Sequence, residues 1–220
     1  MKYRSVFDII GPVMIGPSSS HTAGAARIGR VARQLFGREP KWVEISLYGS
    51  FAKTYKGHGT DVALVGGVLD FDTFDERIVN ALTIAKEKGI RVKFTEEDAV
   101  MDHPNTAKVH LGDDEDDLEL VGISIGGGKM EIVELNGFKL GLSGNSPALL
   151  VVHNDRFGAI AGVSNILAKH EINIGHMNVA RKERGQQALM TIEVDQNVEE
   201  KIMKEVESLP NILQVAKIND

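Results

Sequence analysis

The sequence predicts a mixed α+β chain in two parts: an N-terminal α/β domain over residues 1–144 and a compact ferredoxin-like βαββαβ domain over 147–220. Three observations carry this. Short alternating or apolar runs interleave with helix-spaced runs from about residue 40 onward, the pattern of mixed sheet-and-helix layers. A stretch rich in turn formers, Leu142-Ser143-Gly144-Asn145-Ser146-Pro147, interrupts them and marks a boundary. Beyond it the strands and helices follow the β-α-β-β-α-β order of the split βαβ motif.

Along the first part, Ala25 to Ala32 reads as the start of a helix, and Trp42 to Leu47 alternates as a half-buried strand. Lys56-Gly57-His58-Gly59-Thr60-Asp61 reads as a glycine-punctuated turn before the apolar run Val62 to Val68. Asp75 to Lys88 has helical spacing, with Thr73 or Asp75 as cap and Gly89 as stop. Ile90 to Thr95 is a strand. Val109 to Leu111 and Leu118 to Ser124 form a hairpin around the acidic turn Asp113-Asp114-Glu115-Asp116-Asp117, which lacks the spaced ligands of a calcium loop and reads as a solvated turn. Gly126-Gly127-Gly128 is a bend before the strand Met130 to Leu135, and Asn136-Gly137 is a two-residue hairpin turn.

In the second part, strands are expected at Ala148 to His153, Ile172 to Arg181, Leu189 to Val194 and Ile212 to Ile218. Helices are expected at Ala159 to His170 and Val198 to Leu209. Helices on one face leave the other face to be covered. Self-association through Ile174, Met177, Val179 and the neighbours of Leu189 is the expected remedy.

Composition narrows the chemistry. The 220 residues include no cysteine, which excludes disulfides, thiolate nucleophiles and thiolate ligation of a metal cluster by this chain. A formal charge of −6 argues against nucleic acid as a partner. No run has the length of a membrane-spanning helix and no signal peptide is recognisable, so a cytoplasmic, membrane-free protein is expected.

The densest chemistry lies at Gly16-Pro17-Ser18-Ser19-Ser20-His21-Thr22-Ala23-Gly24. Clustered hydroxyls at a helix start, with its free N–H groups, suit a carboxylate or phosphate, and His21 can move a proton. The same residues also suit an ordinary N-cap. His58 lies between two glycines that permit close backbone approach, with Thr60 and Asp61 nearby to orient it; a solvent-facing turn histidine is the competing interpretation. His103 precedes Pro104 and is expected to be extended, either completing a polar cluster or capping a turn. The spacing of His21, His58 and His103 matches no metal-ligand motif.

Two resemblances add to this. Residues 147 to 220 resemble an ACT domain, on Val152-His153-Asn154-Asp155-Arg156-Phe157-Gly158 and His170-Glu171-Ile172-Asn173-Ile174. That resemblance implies an amino-acid effector site with Asp155, Gly158 and Asn173. Phe157 stands where many ACT domains have proline. The first part is similar to the β domain of iron–sulfur L-serine dehydratases, on Asp8-Ile9-Ile10-Gly11-Pro12, the Ser18–Gly24 motif, Lys56 to Asp61 and Asp102-His103-Pro104-Asn105. That domain is related to the allosteric substrate-binding domain of some phosphoglycerate dehydrogenases.

The resemblance implies the β chain of a two-chain L-serine ammonia-lyase that yields pyruvate and ammonia. It implies a Cys-containing α chain as partner, L-serine as substrate, and a [4Fe–4S] cluster ligated by the α chain. On this chain it implies His58, His21 and His103 as catalytic candidates and Ser18, Ser19, Ser20, Thr22, Thr60 and Asn105 as substrate-binding candidates. The alternative is a free-standing amino-acid-sensing regulatory protein with an ACT module.

Overall fold

The structure, a computed structural model, describes residues 13–219; the Asp8 to Pro12 motif lies outside them. The chain divides into two compact units, Met1–Asn136 and Gly137–Asp220.

In the first unit, strands β1 (Trp42–Tyr48), β2 (Arg91–Glu97), β3 (Asn105–Gly112), β4 (Asp117–Gly126) and β5 (Lys129–Leu135) run in the order β2-β1-β3-β4-β5. The β1–β2 pair is parallel and the others are antiparallel. The alternation in β1 places Val43, Ile45 and Leu47 in the core at no more than 1% exposure. Four α-helices belong to the unit: α1 (Gly24–Phe36), α2 (Gly49–His58), α3 (Thr60–Val68) and α4 (Ala81–Glu87). The parallel crossover from β1 to β2 carries α2, α3 and α4, as such a connection requires.

Helix α3 buries Ala63, Leu64, Val65, Gly66, Gly67 and Val68, the all-round apolar pattern of a core helix. It meets α1 backbone to backbone. A Cβ on Gly29 would lie 2.1 Å from the Leu64 carbonyl oxygen, and one on Gly67 would lie 2.0 Å from that of Ala26. Only glycine fits at either position, and the middle of α1 is thereby held against the second half of α3.

Two segments differ from their expected form. Lys56 to Asp61 is a helix–helix joint rather than a loop: α2 runs through His58, and Gly59 at φ 66° turns the chain into α3. The helix over 75–88 begins as a 3-10 turn, Glu76–Asn80, capped by Asp75, which accepts from the Arg77 N–H at 2.9 Å. The acidic turn is neutralised from within the chain: Arg38 donates to Asp113 at 2.6 Å and to Asp116 at 2.8 Å, and Lys41 pairs with Asp114. Asn136 (φ 46°) and Gly137 (φ 77°) both take the positive φ of a type I′ turn.

The second unit contains β6 (Phe138–Leu142), β7 (Ala148–Asn154), α5 (Ala159–Lys169), β8 (Ile174–Arg181), β9 (Gln187–Val194), α6 (Glu200–Glu207) and β10 (Ile212–Ile218). Its antiparallel sheet has the order β10-β7-β9-β8, the ferredoxin-like arrangement expected. Leu149, Val151, Met190 and Ile192 pack with Val163, Leu167, Ile202 and Val206 into one core.

The residues expected on the uncovered face of that sheet are placed unequally. Ile174 and Met177 pack against the core cluster and Leu189 is 1% exposed, while Val179 remains 38% exposed, so of the expected apolar residues Val179 is the one left accessible to a second copy. Strand β6 lies against β8 and β9, and the next residue, Ser143, donates from its N–H and hydroxyl to Glu193 at 3.0 and 2.9 Å. Among the described residues no helix is long and apolar enough to cross a membrane.

Candidate functional site

The site grows from the start of α1. Ser18 is an N-cap whose side chain accepts from the His21 N–H at 3.1 Å, and Ser19–Ala23 forms a π-helical turn that runs into α1. Single π turns recur at functional sites. Here the turn carries Ser19, Ser20 and His21, all half-buried. Thr22 points the other way. It is 2% exposed, and its hydroxyl donates to the His58 carbonyl at 3.1 Å. The Ser-rich motif and the end of α2 are therefore clasped together.

His21 is held on all sides. Its Nε2 lies 2.9 Å from the Ser50 Oγ, and its Nδ1 is 3.5 Å from the Ser18 Oγ. Its ring meets Phe51 edge to face at 5.3 Å between centroids, and His58 in the same manner at 4.8 Å. Burial pushes the His21 pKa below the ordinary histidine value, and the charge of His58 adds to this. A neutral imidazole at physiological pH follows.

His58 differs. Its Nδ1 is buried and has no hydrogen-bond partner among the described residues, and the same holds for the hydroxyls of Thr60 and Ser124. Thr60 is fully buried, so its hydroxyl lies inside the fold. Asp61 accepts from the Val62 N–H at 2.8 Å, which ties its carboxylate to its own helix start.

The third motif joins through the backbone. The Pro104 carbonyl accepts from the Ser50 N–H at 2.7 Å. The Asn105 side chain donates to the Ser124 carbonyl at 3.4 Å. The His103 Nδ1 accepts from the Asn105 N–H at 3.1 Å, the turn-capping arrangement. The Gly126 to Gly128 bend comes close to the same place: a Cβ on Gly126 would lie 3.8 Å from the Ser20 Oγ.

The Ser18 to Thr22 stretch and the end of α2 thus meet directly at His21 and His58, while the third stretch reaches them through the Pro104–Ser50 bond, with the His103 ring engaged in its own turn. Ser50, Phe51 and Ser124 are the residues that sequence reasoning missed. The signal available for Ser50 was Tyr48-Gly49-Ser50, a strand end followed by glycine.

This chain cannot ligate an iron–sulfur cluster through thiolates, because it has no cysteine. Among the described residues no group of three or more His, Cys, Asp or Glu is placed to hold a metal ion.

In the second unit the effector candidates are not brought together. Asp155 accepts from the Gly185 N–H at 2.9 Å and from Arg181 at 3.1 Å. These bonds, the Gly185 N–H above all, hold its carboxyl below the usual range. Gly158 (φ 86°) opens α5 with no side-chain cap. Asn173 lies beyond the far end of that helix, which is roughly 16 Å long at 1.5 Å per residue, and donates to Asp195 at 2.7 Å.

The first unit thus carries a helix-start cluster of hydroxyls and imidazoles, and the second is a ferredoxin-like module. The serine dehydratase beta chain family model matches residues 5–134, and the ACT domain model matches 148–211. The probable L-serine dehydratase beta chain of Bacillus subtilis (strain 168) is 72% identical over 220 residues, covering 100% of both chains. The L-serine dehydratase beta chain of Peptoniphilus asaccharolyticus is 39% identical over 200 residues, 90% of each chain. D-3-phosphoglycerate dehydrogenase of Bacillus subtilis is 30% identical over 195 residues, which are 89% of this chain and 37% of that enzyme. The chain belongs to the serine dehydratase beta chain family and carries an ACT domain.

Proposed function

We propose that the chain is the β subunit of a two-chain iron–sulfur L-serine ammonia-lyase, working with a Cys-bearing α chain in the cytoplasm to convert L-serine to pyruvate and ammonia. The observation that carries this is the meeting of the Ser18 to Thr22, His58 and His103 to Asn105 segments around one imidazole pair. The full-length identity to relatives named as beta chains of that enzyme supports it.

The reaction must remove the α-proton of serine and expel its hydroxyl. The α-proton is weakly acidic, so a placed base and neutralisation of the carboxylate are both needed. In the proposal the hydroxyls of Ser18, Ser19 and Ser20, at the positive end of the helix start, bind the carboxylate. His58 takes the α-proton. The cluster belongs to the α chain. Self-association through the ACT domains is part of the proposal, with the outer strands β8 and β10 as its surfaces.

The test is reconstitution. The purified chain alone is expected to be colourless and without serine dehydratase activity, with turnover appearing on anaerobic mixing with a reconstituted α chain. Robust turnover by this chain alone would overturn the subunit assignment, and amino-acid binding without any effect on turnover would favour a sensor.

A further inference from the structure

His21 and His58 touch, yet their surroundings are unequal. Each ring nitrogen of His21 faces a hydroxyl of its own chain, Ser50 at 2.9 Å and Ser18 at 3.5 Å. The Nδ1 of His58 faces none. The Ser50 contact is the shorter of the two, and its backbone is the better anchored. The Ser50 N–H donates to Pro104, and its carbonyl accepts from the Thr54 hydroxyl at 2.8 Å. Gly49 beside it, at φ 54°, has space for no Cβ, which would lie 2.7 Å from the Pro104 oxygen. The Ser50 backbone is thereby fixed, and rotation about its single side-chain torsion brings the Oγ to His21.

We propose that Ser50 is a positioning residue: its hydroxyl anchors the His21 imidazole, and His21 in turn sets the plane of the His58 ring, leaving His58 as the member of the pair that takes a proton. This rests on the dehydratase reading of the site for its consequence in turnover, but not for the anchoring itself. The physical grounds are general. An imidazole bonded at a ring nitrogen is held in orientation by that bond, which also biases its tautomer. A ring packed edge to face between Phe51 and His58 transmits that orientation to its neighbour, because close-packed aromatic rings cannot turn independently. Two adjacent imidazoles also disfavour double protonation, since like charges in contact oppose each other. Of the two, His58 is the ring with a nitrogen left without a partner among the described residues.

The experiment uses the full-length chain, isotope-labelled, and reads the imidazole nitrogens by long-range ¹H–¹⁵N NMR for wild type, Ser50→Ala and Ser50→Thr. In wild type His21 is expected to show one tautomer. Ser50→Ala is expected to mix the tautomers of His21 and shift the ring signals of His58, while the backbone amide spectrum away from the site is unchanged. Ser50→Thr, which keeps the hydroxyl, is expected to restore the wild-type pattern. In the complex reconstituted with the α chain, Ser50→Ala should lower kcat about 10- to 100-fold, the range for losing a group that orients an essential residue, with KM little changed.

Unaltered His21 signals in Ser50→Ala would overturn the anchoring. Altered signals with unaltered turnover would overturn the role in the reaction. A wild-type chain that supports no turnover in any complex would sink the dehydratase reading, and the NMR comparison would still decide whether Ser50 sets the two rings.

Discussion

The two units treat their candidate site residues differently. In the second, Asp155 is satisfied by Gly185 and Arg181, and Asn173 by Asp195. In the first, the His58 Nδ1, the Thr60 hydroxyl and the Ser124 hydroxyl are buried without partners. Leaving a buried polar atom unmade costs about 1–3 kcal/mol, so such atoms persist only where the surrounding fold over-determines them. Here the over-determination comes from glycines. The contacts of Gly29 and Gly67 lock α1 to α3, and the Thr22 hydroxyl ties the start of α1 to the His58 carbonyl. The His153 Nε2 and the Asn219 Oδ1 in the second unit, both buried without partners among the described residues, depart from the contrast; neither belongs to the effector candidates.

The contrast is broken most severely at Gly67. Gly67→Ala forces a Cβ to within 2.0 Å of backbone and should cost about 3 kcal/mol, the upper range for overpacking a core. Gly158→Ala, whose Cβ would meet nothing within 4 Å, pays only for its positive φ, about 1 kcal/mol. Urea unfolding followed by circular dichroism compares the two. Equal losses would mean that the α1–α3 contact yields easily and does not hold the site.

The hydroxyls sharpen the same comparison. Ser19→Ala should raise KM for serine roughly 3- to 10-fold in the reconstituted complex, the equivalent of one hydrogen bond, and leave stability unchanged. Thr22→Val should do the reverse. It removes the donor to the His58 carbonyl and should lower stability by about 1 kcal/mol. A Thr22→Val effect confined to KM would mean that its hydroxyl turns toward substrate.

Much of this was legible in the sequence, and for physical reasons. The alternation of Trp42 to Leu47, the Asn136-Gly137 turn and the βαββαβ order report local geometry that side-chain pattern dictates. The joint at Gly59 was not legible, because Lys56-Gly57-His58-Gly59 has the composition of a turn while α2 is held by what it packs against. Phe51 and Tyr55 are its buried residues. Thr22 and Thr60 read as binding groups because a sequence shows hydroxyls but not the direction they face. The covering of the ACT sheet by β6 was hidden for the same reason: Phe138 to Leu142 alternates like any hairpin strand, and only the structure shows that it lies on β8 and β9.

A smaller effect is expected from pH. The folded-state pKa of His21 lies below its ordinary value of 6.5, so in the window just below that value the unfolded chain binds more protons than the folded one. Its contribution to stability is therefore present above pH 6.5 and is lost as pH falls below it. Urea midpoints at mildly acid and neutral pH should show a loss that is smaller in a His21→Gln variant. An identical acid loss in that variant would assign the effect to other groups.

The central claim is that His58, and not His21, takes the proton. The most direct measurement is kcat of His58→Ala in the complex reconstituted with the α chain, alongside the sedimentation profile of that complex. The account predicts a fall of roughly 10²–10⁴, the range for losing a general base, with the complex intact. A near-normal kcat in an intact complex would contradict it.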